Sequence, residues 1–175
     1  EVALDLDYYR RVWQKVEALP GRDRSVARRM MGTRFDTLNI EWVVRFRMIY
    51  RLSPEEIFNY TLSYGYLVDD EVVRRAALAL DFPALAAALP EPYRSLLSRI
   101  SPGADVAEQT ELALSRYLIT EAGRALAGYP FQIGTILAYL WLRDAEVRDL
   151  RAIFESKRYG LPATRIEDLL ISEGR

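Results

Sequence analysis

Neither cysteine nor histidine occurs in this 175-residue chain. Without cysteine there is no disulfide and no thiolate metal site. Without histidine the commonest metal ligand is missing, and so is the only side chain whose ordinary pKa lies near neutrality. Ser-His-Asp and Cys-His arrangements are therefore excluded, and no Gly-rich phosphate loop is found. Lysine is scarce, with Lys15 and Lys157 alone among arginines. A net charge of −1 gives no polyelectrolyte attraction toward nucleic acid. A long hydrophobic run is lacking too. The longest, Phe131 to Leu142, is interrupted by Gln132, Gly134 and Thr135, too short and mixed for about 30 Å of hydrocarbon. No signal-peptide pattern opens the chain at Glu1, and a fragment of a longer protein is the expectation.

What is present is ordinary globular material. Half the residues are hydrophobic and 28% are charged, and a chain of this size buries roughly 70% of its unfolded surface. The apolar spacing is helical nearly throughout, so the expected fold class is all-α. Leu4, Tyr8, Val12 and Val16 mark a first helix, ended by Pro20-Gly21. Ser25 to Met31 reads as a short basic helix stopped near Gly32. Asp36 is then expected to cap a helix with Leu38, Trp42, Val43, Phe46 and Ile49 inward. Ser53-Pro54-Glu55-Glu56 is a capping box with proline at the first helical position. Asp69-Asp70 caps the next helix, through Leu80, and Pro83 begins another. The acidic cluster Asp69-Asp70-Glu71 is read as this cap, not as a cation site. Ser101 to Asp105 is the best linker. Beyond it lie helices over 106–126 and 131–158, then Gly160 in the left-handed turn and a short helix after Pro162. The expected organisation is a lobe over 1–100, a linker over 101–110 and a lobe over 111–175.

Two passages repeat. Leu4, Leu6 and Tyr9 match Leu112, Leu114 and Tyr117 at an offset of 108. Asn39-Ile40 leads to Leu52 and Ile57 much as Asp149-Leu150 leads to Leu161 and Ile166, these last pairs offset by 109. Two related multi-helix lobes in series are the expectation, each with an apolar face that is unstable alone.

The run from Tyr139-Leu140 through Arg143-Asp144, Glu146-Val147-Arg148-Asp149-Leu150-Arg151 and Ile153, followed by Lys157 and Gly160-Leu161-Pro162, resembles a known signature. It is similar to that of the C subunit of V/A-type (vacuolar/archaeal-type) ATPases, the counterpart of the eukaryotic V-ATPase d subunit. Asp36-Thr37-Leu38-Asn39-Ile40, Arg45 and Leu52 to Glu56 resemble the same element in a preceding lobe, and Leu4 to Arg10 and Gly21 to Arg24 fit in order. Asp149 stands where asparagine is usual, and Arg143-Asp144 where Lys-Glu is usual. The family carries three lobes, and this chain matches the last two. The resemblance implies a non-catalytic central-stalk subunit of the rotor, without cofactor or metal. It couples the rotating shaft to the membrane proteolipid ring for ion transport. Its implied partners are the central-shaft subunits and the ring. Its implied place is the cytoplasmic face of the membrane, which it touches only through the complex. The alternative is a helical-repeat adaptor for a different protein partner.

No catalytic residue is expected. The residues expected to contact a partner are Arg45 and Arg47, in a stretch from Gly21 to Arg51 with eight arginines against three acidic residues; Tyr64 and Tyr66, at a turn; and Arg148 and Arg151, in the signature. Against this stand ordinary readings: a solvated helix face for the arginines, pairing of Arg148 and Arg151 with Glu146, Asp149 or Glu155, and core packing for most aromatics.

Overall fold

The computed structural model describes residues 2–103 and 105–172, the side chains of residues 2 and 3 excepted. Those residues form nine α-helices, one π-helical turn and no strand, so the chain is all-α. Contacts divide it into two units, Glu1–Glu111 and Leu112–Arg175. The division falls inside a helix, α7 (Val106–Leu126), and not in the Ser101–Asp105 stretch. Residues 106–110 of the expected linker are thus helical, because no glycine or proline interrupts α7 before Gly123.

In the first unit α1 (Val2–Glu17) lies on α2 (Gly21–Val44). Leu6, Tyr9, Val12 and Trp13 pack against Phe35, Leu38 and Leu62. The Phe35 ring meets those of Tyr9 at 5.6 Å, Trp13 at 5.9 Å and Tyr64 at 6.3 Å, in edge-on or tilted geometries that suit ring quadrupoles. The expected break at Gly32 does not occur, and α2 is one helix. A glycine inside a helix costs only about 1 kcal/mol relative to alanine, and here it admits a neighbour: a Cβ on Gly32 would lie 2.9 Å from Tyr66 Cβ. Asp36 is accordingly not a cap but sits in mid-helix. From Gly32 to Ile40 every residue except Arg34 is buried, making α2 the central element of the unit.

A π-helical turn, Arg45–Ile49, closes α2. Its wider i→i+5 bonding shifts the phase of the helix. Ile49, expected inward, is 49% exposed for that reason, while Val43 and Val44 are buried. Arg51 follows in the left-handed region at φ +55°, a conformation costly for a side chain with Cβ. The capping box then opens α3 (Pro54–Phe58): the Glu56 N–H donates to Ser53 Oγ at 3.3 Å and the Ser53 N–H to Glu56 Oε2 at 2.9 Å. Asp69 caps α4 (Asp70–Ala77) by accepting from the Val72 N–H at 2.9 Å. Asp81 caps α5 (Phe82–Ala88) in the same way through Ala84, at 2.8 Å. The short α6 (Tyr93–Leu97) is not foreshadowed by the apolar spacing.

The second unit holds the rest of α7, then α8 (Ile133–Arg158) and α9 (Ala163–Leu169). The polar stretch Arg143 to Glu146 does not break α8. Ala145 turns inward beside Ile119 and Ile171, and its charged neighbours stay exposed. Gly160 ends the passage at φ +71°, in the left-handed conformation expected of it. Arg116 donates to the carbonyls of Leu170, at 2.8 and 3.1 Å, and of Asp168, at 3.0 Å, so an α7 cation closes the end of α9.

Phe35 is wholly buried among aromatic neighbours, and truncation leaves a cavity that flat rings cannot refill. Phe35→Ala is expected to lower the unfolding free energy by about 3–5 kcal/mol, read by urea titration.

Candidate partner-binding surfaces and their buried anchors

Asp36 has no exposed surface. Its carboxylate accepts from the backbone N–H of Val68 at 2.9 Å and of Leu67 at 3.0 Å, and from the Tyr93 hydroxyl at 2.9 Å. Burial pushes its pKa up to about 6, and the donors at Val68, Leu67, Tyr93 and Tyr66 hold it from rising further. The carboxylate therefore joins α2, the turn over 64–68 and α6. Gly65 makes the approach possible: a Cβ there would overlap the Val68 carbonyl oxygen and lie 2.5 Å from Asp36 Oδ1.

One turn along α2, Asn39 grips a second piece of backbone. Its Oδ1 accepts from the Leu62 N–H and its Nδ2 donates to the Leu62 carbonyl, both at 2.8 Å. In the second unit Asp149 does the matching thing. Its oxygens accept from the N–H of Ile171 at 2.7 Å and of Ser172 at 3.0 Å. Both residues are buried on long helices and hold backbone some two dozen residues further on. The difference between amide and carboxylate follows from what each faces. Asn39 meets one donor and one acceptor, and Asp149 meets two donors.

The six residues expected at a surface divide unevenly. Arg45 is exposed and pairs with Glu111 at 3.1 Å. Arg47 is half-buried and donates to the carbonyls of Ala79 at 2.8 Å and Leu52 at 3.3 Å, so it fastens the π turn to the end of α4. Tyr64 is partly buried, stacking on Trp13 at 5.5 Å against the core cluster, in contrast to the exposure expected at its turn, because the Asp36 grip draws that turn inward. Tyr66 is 53% exposed. Arg148 is half-buried, 3.4 Å from Asp144, with Nη2 3.5 Å from Ser115 Oγ. Arg151 is exposed. The structure thus leaves Arg45, Tyr66 and Arg151 on surfaces and places Arg47, Tyr64 and Arg148 in packing. Core packing, the ordinary reading for most aromatics, does not hold for Tyr8 and Tyr139, which are 61% and 58% exposed.

Asp36, Asn39 and Asp149 do not announce themselves as anchors in the sequence. The available signal was two polar residues three apart within an apolar helix, which lie on one helical face and need buried partners. Among the described residues no cluster of three or more acidic side chains is placed to hold a metal ion. No helix among them is long and apolar enough to cross a membrane. The arrangement holds backbone and presents surfaces.

The chain belongs to the ATP synthase (C/AC39) subunit family, whose model matches residues 1–169. It is similar to the C subunit of the A-type ATP synthase of Methanocaldococcus jannaschii, at 25% identity over 98% of this chain and 44% of that protein. It is similar to the same protein of Archaeoglobus fulgidus, at 29% over 78% of this chain and 39% of that protein. For Methanosphaera stadtmanae the figures are 23%, 98% and 46%. The chain spans less than half the length of these curated relatives. No solved structure matches it significantly.

Exchanging the two anchors tests the donor-acceptor match. Asn39→Asp sets a carboxylate oxygen against the Leu62 carbonyl, and Asp149→Asn leaves one acceptor oxygen for the two donors at Ile171 and Ser172. Each is expected to cost roughly 1–3 kcal/mol in urea unfolding, against about 0.5 or less for exposed Glu55→Gln.

Asp36 also predicts a pH dependence. Its folded value of about 6 exceeds the ordinary 3.8. Its contribution to stability is therefore complete below 3.8 and is lost as pH rises through about 6, at up to about 1.4 kcal/mol per pH unit between. Glu17, held low by its hydrogen bond from Arg28, and Glu56, held low by the Ser53 N–H, act in the opposite sense at the acid end. The readout is therefore the difference between wild type and Asp36→Asn, expected to change between pH 3.8 and about 6 and to be flat above.

Proposed function

We propose that this chain is a non-catalytic coupling piece of a V/A-type ATPase or ATP synthase. In this reading it belongs to the central stalk, on the cytoplasmic side of the membrane. It transmits torque between the rotating shaft and the proteolipid ring and makes its membrane contact through the complex. The single observation that carries this is the family match over residues 1–169, together with curated relatives named as the C subunit of A-type ATP synthases. The site geometry is in keeping with it. The buried polar groups are spent on fixing backbone, which suits an element that must transmit force without deforming.

The two units are, in this proposal, related lobes. The paired anchors Asn39 and Asp149 favour that view, since each holds the stretch just beyond the next short helix, 23 and 22 residues on. Of the expected contact residues, Arg45, Tyr66 and Arg151 are the ones a partner can reach.

The test is calorimetric titration of the purified chain with the central-shaft subunits of the same complex, a full-length relative serving as control. Saturable binding is expected, weakened by raised salt because exposed arginines contribute to it. Absence of binding by this chain, with the control binding, would refute a shaft contact by these two units. Retained folding with a different protein partner would favour the adaptor reading.

A further inference from the structure

α8 carries apolar residues on two opposite faces. At about 100° per residue, Ala138, Ala145, Asp149 and Ser156 fall along one side of the helix, and all four are buried. Their small size lets α8 lie close on its own unit. Roughly half a turn away, Ile136, Leu140, Val147, Leu150 and Phe154 form a second line. They are 58%, 55%, 53%, 62% and 72% exposed. A helix packed on one side carries polar residues on the other. Single exposed apolar side chains are ordinary, but five in register along about 27 Å of axis form a face.

The charges on and beside this face are mostly cationic. Arg143 lies inside the line, between Leu140 and Val147, and is ion-paired with Glu146; Arg151, Lys157 and Arg158 lie on its shoulders. The acidic residues of α8 sit off the line. Asp144, Glu146 and Glu155 are about a quarter turn off, and Asp149 is on the buried side. Beside the line runs a groove, walled by Tyr139, Leu142, Leu150 and Ile153 of α8 and by Ile119 of α7, with the Arg143–Glu146 pair on its edge.

We propose that the outer face of α8 docks an amphipathic helix of another protein, one whose apolar stripe is bordered by acidic side chains. A second copy of this chain fits poorly. Antiparallel pairing about Val147 sets Arg143 against Arg151, and parallel pairing sets each cation against itself. A lipid surface fits poorly as well. Arg143 and its ion-pair partner Glu146 lie in and beside the apolar line, where acyl chains would strip their water. The inference goes beyond the stalk reading, since it specifies the chemistry of the occupant and not the complex it comes from.

The probes are two hydrocarbon-stapled helical peptides of about 20 residues, enough to cover the face. Both carry leucine along one side, one with glutamate on its shoulders and the other with lysine. Each is titrated into the intact chain by fluorescence anisotropy. The glutamate peptide is expected to bind saturably, and the lysine peptide at least about tenfold more weakly. The double variant Leu150→Glu, Phe154→Glu is expected to lose at least about tenfold in affinity for the glutamate peptide, with unchanged helical circular dichroism because both side chains are exposed. Reversing Arg151, Lys157 and Arg158 to glutamate is expected to invert the preference between peptides. Equal binding of both peptides, no saturable binding of either, or binding insensitive to Leu150 and Phe154 would overturn the proposal. So would self-association of the chain that the double variant abolishes, crosslinks from this face to the chain itself, or flotation with phosphatidylserine vesicles lost in the same variant.

Discussion

A carboxylate with no access to water must have its lone pairs filled by protein, and in the first unit that demand fixes where separate segments meet. Asp36 gathers two backbone N–H groups at Leu67 and Val68 and the hydroxyl of Tyr93. Each donor comes from a different part of the chain than α2, so the helix cannot rotate or slide without stranding them. The consequences reach the surface. The turn over 64–68 is drawn in, Gly65 and Gly32 are required for close approach, and Tyr64 enters the aromatic cluster with Trp13 and Phe35. Tyr66 is left outside, 53% exposed.

The same principle recurs in less costly form at Asn39 and Asp149, where the choice of amide or acid follows the backbone groups that face it. Arginine fulfils the converse task. Arg47 on Ala79 and Leu52, Arg94 on Leu89, and Arg116 on Leu170 and Asp168 each close carbonyls left over at helix ends or turns. The planar guanidinium supplies several donors in fixed directions, which a lysine ammonium does not. The near-absence of lysine thus matches a chain in which several cations are engaged with backbone.

The units differ in how much of their apolar surface they use. The first buries Phe35, Ile40, Ile57, Leu85, Leu89, Tyr93 and Leu97 almost completely. In the second, α8 rests on alanine, serine and an aspartate, while Leu150 and Phe154 face outward. An apolar face left bare to that extent is the mark of an interaction surface.

The sequence by itself determined the all-α class, the capping box at Ser53, the cap at Asp69, the extent of α7 and the left-handed Gly160. These depend on propensity, periodicity and hydrogen bonds within a few residues, which leave a local signature. The family was legible for a related reason, because its signature is a contiguous run on one helix. Only the tertiary structure decided that Gly32 does not break α2, that Asp36 is an anchor and not a cap, that Ile49 turns outward and that Arg47 and Tyr64 are packing residues. The anchoring contacts among these reach groups 30 or more residues distant, such as Leu67 and Tyr93 for Asp36 and Ala79 for Arg47. A buried polar residue and a cap look alike in a sequence window. What separates them is whether the chain later returns donors to that point, and that is a property of the fold.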